Sequence, residues 1–150
     1  MLENANQLAE DGKYIQALKY YKNILQIEHD NIGIVIDYGV TLQNLELYHE
    51  ALEVYDRALC LQPKNTSVLI NKGSVLHALG KYTDAITYYN TVLSIEKNNP
   101  IAFAYKGLCI AEAGNIQLAT KYFKKALSID AEFELAKISI NTAKCMMKSH

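Results

Sequence analysis

Histidine and cysteine are the side chains here best suited to metal binding or proton transfer, and their spacing argues against both. His29, His49, His77 and His150 are scattered, as are Cys60, Cys109 and Cys145. Neither two cysteines nor two histidines stand at metal-ligand spacing, so no metal or other cofactor is expected. His49 beside Glu50 reads as a surface pair rather than an acid–base couple. No glycine-rich phosphate loop, activated nucleophile or pair of carboxylates is visible. Cys60 and Cys109 read as small core or seam residues. An odd number of widely spaced cysteines suits a reducing compartment, and the cytoplasm is the expected location. An enzyme is therefore the least supported class.

The elements that would position any site follow from a period of 34 residues. Gly12, Glu46, Gly80 and Gly114 fall in one column, and Tyr14, Tyr48, Tyr82 and Ile116 in another. Ala17, Ala51, Ala85 and Ala119 align, as do Tyr21, Tyr55, Tyr89 and Phe123. Leu25, Leu59, Leu93 and Leu127 complete the register, followed by Ile27, Leu61, Ile95 and Ile129. A fixed period over nearly the whole chain implies stacked copies of one small unit. The abundant tyrosines mostly occupy these columns and so read as core, not as a base-stacking platform.

Each row splits into two helical stretches. Leu69, Gly73 and Leu76 recur at intervals of four and three, and Ala85, Tyr89, Val92 and Leu93 do so after Gly80. Gly80 ends the first helix because glycine tolerates the left-handed turn conformation. The second helix should end near Ile95, with Glu96 to Asn99 as the link and Pro100 in the first turn of the next helix. No β-alternating run occurs. Gly39, Gly73 and Gly107 sit within first helices, where glycine costs about 1 kcal/mol relative to alanine. That cost is reasonable if a neighbouring helix lies close, with the alanine column opposite and the aromatic column filling the space beside the crossing. Ala85→Leu is expected to overpack it and to lower stability by roughly 1–3 kcal/mol in a thermal melt.

Bulk properties narrow the function. Of 150 residues half are apolar, enough for a continuous core. A formal net charge of −1, evenly mixed along the chain, argues against nucleic acid and against an anionic membrane surface. No stretch approaches the roughly 18 uninterrupted apolar residues of a membrane span. The first residues lack the layout of a signal peptide.

The period together with Gly73, Leu76, Gly80, Tyr82, Ala85, Tyr89 and Val92 resembles the tetratricopeptide repeat. The resemblance covers about residues 1–133 and implies an all-α superhelical solenoid of about four helix-turn-helix repeats plus a capping helix, in one domain. The repeats are expected at about 1–31, 32–65, 66–99 and 100–133, and the cap at about 134–147. Pro63 matches the family's proline; His29, Lys97 and Ala131 replace it elsewhere. The family's bulky aromatic near the start of the first helix is present only as Phe103, against Val35 and Leu69. Glu46 replaces the turn glycine and should strain that turn.

The ends read as a finished module. The stripe facing a preceding row is mostly apolar inside the array (Ile34, Tyr38, Leu45; Val68, Val75, Leu79; Ala102, Cys109, Ala113). Lys72 and Lys106 interrupt it and are expected to snorkel. In the first row the same stripe is Asn4, Gln7, Asp11, and the leading helix is a few residues short. In the last helix Ala136, Ile140, Ala143 and Met147 continue the backward-packing stripe, while Lys137, Asn141 and Lys144 face outward, as a cap requires.

What the resemblance implies for function is a concave groove, lined by first helices, that takes an extended or helical peptide. Its columns here are Ile36, Asp37, Val40 and Asn44, then Ile70, Asn71, Ser74 and His77, then Ile101, Tyr105, Leu108 and Glu112. Ile138 and Thr142 of the cap would add to it. Asp37, Asn71 and Tyr105 would form a hydrogen-bonding ladder, with Tyr105 as anchor. The blander reading is that the apolar members support helix seams and the polar ones are solvated. Some family members clamp a C-terminal carboxylate with lysines, arginine and asparagines. The matching positions here are Leu2, Asn6, Asp37, Ser67 and Asn71, and Asp37 would repel that group. The leading expectation is a non-catalytic adaptor that binds a partner peptide or protein. The alternative is a self-associating structural module using its cap or convex face, with Leu135 and Met146 as candidates.

Overall fold

A computed structural model describes residues 2–148, with Leu2 described by its backbone alone. The clamp position at Leu2 and the histidine at His150 thus lie outside the described side chains. Nine helices and no strand occur among the described residues: α1 (Leu2–Glu10), α2 (Tyr14–Ile27), α3 (Ile32–Asn44), α4 (Tyr48–Leu61), α5 (Thr66–Ala78), α6 (Tyr82–Ile95), α7 (Pro100–Glu112), α8 (Ile116–Ile129) and α9 (Glu134–Lys148). Each 34-residue row contributes two of them, and Pro100 opens α7 as expected. The chain forms two compact units, Met1–Val75 and Leu76–His150.

Within the first unit α1 packs on α2, α2 on α3 and α3 on α4. Ala17, Tyr21, Val35, Leu42, Ala51, Tyr55 and Ala58 are buried there. Within the second, α6 packs on α7, α7 on α8 and α8 on α9, around Ala85, Tyr89, Ala104, Ala119, Phe123 and Ala136. The glycines mark the closest approaches, although what lies over them is chiefly the aromatic column. A Cβ on Gly39 would stand 2.5 Å from Cε1 of Tyr55. One on Gly107 would stand 2.6 Å from Cε1 of Phe123 and 3.2 Å from the Ala119 carbonyl oxygen.

Turns within rows repeat one closure. The N–H groups of Lys13, Leu47, Lys81 and Asn115 donate to the carbonyls of Leu8, Leu42, Leu76 and Ile110, at 2.7–3.1 Å. This six-to-one bond needs a left-handed residue just before it. Gly12, Gly80 and Gly114 supply it, and at Glu46 a side-chain-bearing residue takes φ +58°. Glu46→Gly is therefore expected to stabilise the chain by about 1 kcal/mol, read as a higher urea midpoint.

Turns between rows use a different device, one that escaped the sequence reading. Asn31, Asn65 and Asn99, at the ends of the first three rows, cap α3, α5 and α7 by accepting from the N–H groups of Ile34, Val68 and Ala102 at 3.3, 3.1 and 3.0 Å. Each amide nitrogen also donates backward to Glu28, Gln62 or Glu96, at 2.7–2.9 Å. One side chain thus ties the end of a second helix to the start of the next first helix.

Several expectations at the seams need correction. Cys109 is buried, but Cys60 is exposed on the outer side of α4. Ala113 and Met147 are exposed, because their column lies where other first helices end. Leu135 is packed against the α7–α9 core, whereas Met146 is 48% exposed. Lys72 and Lys106 do more than snorkel: Lys72 ion-pairs with Asp56, and the Lys106 ammonium lies 4.5 Å from the centre of the Tyr122 ring.

Candidate functional site

In the first unit, α3 places Ile36, Asp37 and Val40 half-buried and Asn44 exposed. Asp37, Val40 and Asn44 come together along a cleft of about 230 Å³ shared with Tyr14, Tyr21 and Thr41. Burial raises the Asp37 carboxyl above its ordinary value. The folded state then binds a proton more readily than the unfolded one, so ionising Asp37 weakens the fold as pH rises through the raised value. Asp37→Asn is expected to raise the melting temperature at neutral pH, with the gain disappearing below the ordinary carboxylate range. A melt series over pH measures both.

On α5, Ile70, Asn71 and Ser74 are half-buried. A hydrogen-bonded chain supports this row: the Tyr55 hydroxyl donates to Gln43 Oε1 at 2.8 Å, and Gln43 Nε2 donates to the Ser74 hydroxyl at 3.3 Å. Asn6, the asparagine that suited the clamp, accepts from the Tyr21 hydroxyl at 2.8 Å.

In the second unit the structure joins two residues that the sequence had placed only in neighbouring columns. His77 Nε2 lies 3.0 Å from one Glu112 oxygen, and the Tyr82 hydroxyl donates to the other at 2.8 Å. The His77 and Tyr82 rings meet edge to face, 5.5 Å apart. The bond from Tyr82, then that from His77, holds the Glu112 carboxyl below its ordinary value. Sequence reasoning missed this cluster because its members sit on three helices, 30 and 35 residues apart.

Tyr105 is half-buried, its ring edge-on to buried Tyr89 at 6.0 Å, while Ile101 is exposed. Leu108 opens into an apolar cleft of about 200 Å³ with Ile116, Phe123, Ile138, Thr142 and Met146. The structure thus brings Leu108 together with Ile138 and Thr142 of the last helix.

Among the described residues no three His, Cys, Asp or Glu side chains gather to hold a metal ion. No described helix is long and apolar enough to cross a membrane. Burial pushes the Cys109 thiol up to about 12, which keeps it from forming a reactive thiolate.

Two tetratricopeptide repeat profiles match, over residues 39–100 and 106–133. No curated protein matches the chain in sequence. Solved structures do match in fold. A structure of MamA from residue 41 to its end, from Desulfovibrio magneticus RS-1, has a TM-score of 0.79 at 22% identity, covering 98% of this chain and 89% of that one. YrrB, described as a TPR protein with an unusual peptide-binding site, gives 0.72 at 21%, covering 98% and 76%. The first TPR of Spaghetti (RPAP3), bound to the HSP90 peptide SRMEEVD, gives 0.71 at 16%, covering 78% and 93%. At these identities the likeness is one of fold.

Proposed function

Because the chain belongs to the tetratricopeptide repeat family, we propose that it is a non-catalytic scaffold of the cytoplasm that holds a peptide or protein partner on its first-helix columns. The observation that carries this reading is the half-exposure of Asp37, Asn71 and Tyr105, three polar side chains that each stand among apolar members of their own row. In the first unit the surface is Ile36, Asp37, Val40, Asn44, Ile70, Asn71 and Ser74. In the second it is Ile101, Tyr105 and Leu108, with His77 and Glu112 already tied to Tyr82. Asparagine and tyrosine can bond a peptide backbone, while the isoleucines and Leu108 supply apolar area. The RPAP3 repeat carries the acidic peptide SRMEEVD. This chain has Asp37 at a clamp position, so a neutral or apolar segment suits it better.

The test is selection from a displayed peptide library, followed by affinity measurement. Asn71→Ala/Tyr105→Ala, once shown to match the wild type in helicity and melting, should weaken the selected peptide by about 30-fold or more. Unchanged affinity would move binding to another face. A second reading is self-association through α9, favoured by the exposure of Ile138, Met146 and Met147 at 60%, 48% and 40%. A single monomeric mass at all concentrations would remove it.

A further inference from the structure

One column decides whether a slot between helices is filled or open. It holds Ala9, Gln43, His77 and Ala111, in the last turns of α1, α3, α5 and α7. The Gln43 side chain reaches across to the next first helix, accepting from the Tyr55 hydroxyl at 2.8 Å and donating to Ser74 at 3.3 Å. His77 does the same one row on. Its Nε2 lies 3.0 Å from Glu112, which also accepts from the Tyr82 hydroxyl. Where the column holds alanine the space stays open. Ala9 lines the cleft of about 230 Å³ among α1, α2 and α3, and Ala111 lines the apolar cleft of about 200 Å³ among α7, α8 and α9.

The two open slots differ in chemistry. Leu108, Ile116 and Phe123 stand around Ala111. Around Ala9 stand Glu10, Tyr14, Tyr21, Asp37 and Asn44, with no lysine, arginine or histidine in the lining. Lys13 lines a neighbouring cleft with Gln16 and Leu45 instead. The two carboxyl groups come from different helices, Glu10 from the end of α1 and Asp37 from the middle of α3. Among the described residues neither side chain has a hydrogen bond or an ion pair. Asp37 is half-buried, so its charge lacks both full hydration and a counter-ion. Both carboxylates act at one point: after burial, their charges push the Tyr21 hydroxyl up to about 12.

The filled positions show what kind of group the slot takes. In both, a nitrogen-bearing side chain enters from this column, and at His77 it meets a carboxylate. In the first row the carboxylates are present and the nitrogen is missing, because alanine stands where Gln43 and His77 stand later. An apolar side chain seated there would strand both charges away from water. An ammonium or guanidinium supplies the absent donors together with the opposite charge. Tyr14 and Tyr21 also line the slot, and the face of an aromatic ring favours a cation.

We propose that the slot among α1, α2 and α3 is the pocket for a lysine or arginine side chain of the bound peptide, with Asp37 and Glu10 pairing its charge and Ala9 leaving it room. The proposal rests on the peptide-scaffold reading and adds Ala9, Glu10 and Tyr14 to that surface. The Asp37 carboxylate that disfavours an acidic peptide thus selects one basic residue within an otherwise neutral one.

The test is selection of a displayed library of random peptides on the wild type, followed by affinity measurement. Lysine or arginine should be enriched at one position, and norleucine in its place should weaken binding about tenfold or more. Asp37→Asn/Glu10→Gln removes both charges at nearly constant shape, and Ala9→Gln fills the slot as Gln43 does one row on. Each variant, once shown to match wild-type helicity, should lose the same factor and no longer distinguish the basic residue from norleucine. Carboxyl-carbon NMR should show Asp37 titrating at lower pH when the peptide is bound, because a cation beside it favours the ionised form. Peptides selected without a basic residue or binding equally well with norleucine, variants that keep the preference, or an unmoved Asp37 titration overturn the proposal and leave the scaffold reading standing. A library that yields no binder to the wild type overturns both.

Discussion

Tyr55→Ala is expected to lower the free energy of unfolding by about 3–5 kcal/mol, the range for removing a large aromatic from a core. Tyr55 is fully buried, lies across Gly39 and donates to Gln43. Its loss opens a cavity and strips Gln43 of a donor while Gln43 still holds Ser74. Urea denaturation measures the effect. The sharper form is a double-mutant cycle with Gly39→Ala. Alone, the added methyl group stands 2.5 Å from the ring and must displace it, which costs about 1–3 kcal/mol. With the ring gone, the methyl enters vacated space and gains the helix propensity of alanine, about 1 kcal/mol. The double variant should thus be more stable than Tyr55→Ala alone. Simple additivity would mean that ring and glycine do not press on each other.

The same column carries the opposite expectation one row on. The hydroxyls of Tyr21 and Tyr55 reach Asn6 and Gln43, but the buried hydroxyl of Tyr89 has no hydrogen-bond partner among the described residues. A buried, unsatisfied hydroxyl costs about 1–3 kcal/mol, so Tyr89→Phe should stabilise by that order, whereas Tyr55→Phe should destabilise. The fourth row already has Phe123 in this column, buried without a hydroxyl. Thermal melts of the two phenylalanine variants settle the matter by sign. A loss of stability in Tyr89→Phe would show that the hydroxyl is bonded after all.

The fold was legible because its determinants are local and repeat. Helix ends are set within a few residues by Gly12, Gly80, Gly114 and Pro100, and the register exposes them four times over. Even the strain at Glu46 could be read, since an acid stood where glycine belongs. The exposure of Cys60 was also readable from its column, which holds Gln26, Ser94 and Ser128. The asparagines at 31, 65 and 99 stood in register too, but as link residues they carried no sign of their double bonding. Contacts between side chains of different columns were not legible. His77, Tyr82 and Glu112 meet because three helix ends converge, and the period describes helices one at a time. The same holds for Lys106 over Tyr122. The binding columns came from the family resemblance, and half-buried polar residues there have the same sequence pattern whether they hold a ligand or water.

The asparagine tie between rows reaches only three residues in either direction, from Glu28 to Ile34 in the first instance and from Glu96 to Ala102 in the last. A segment of 34 residues therefore carries its own connector and needs no distant residue to set the joint. Duplication or deletion of a segment that ends in one of these three asparagines would leave the neighbouring asparagine joints chemically intact. A row added in this way would arrive with its connector already made.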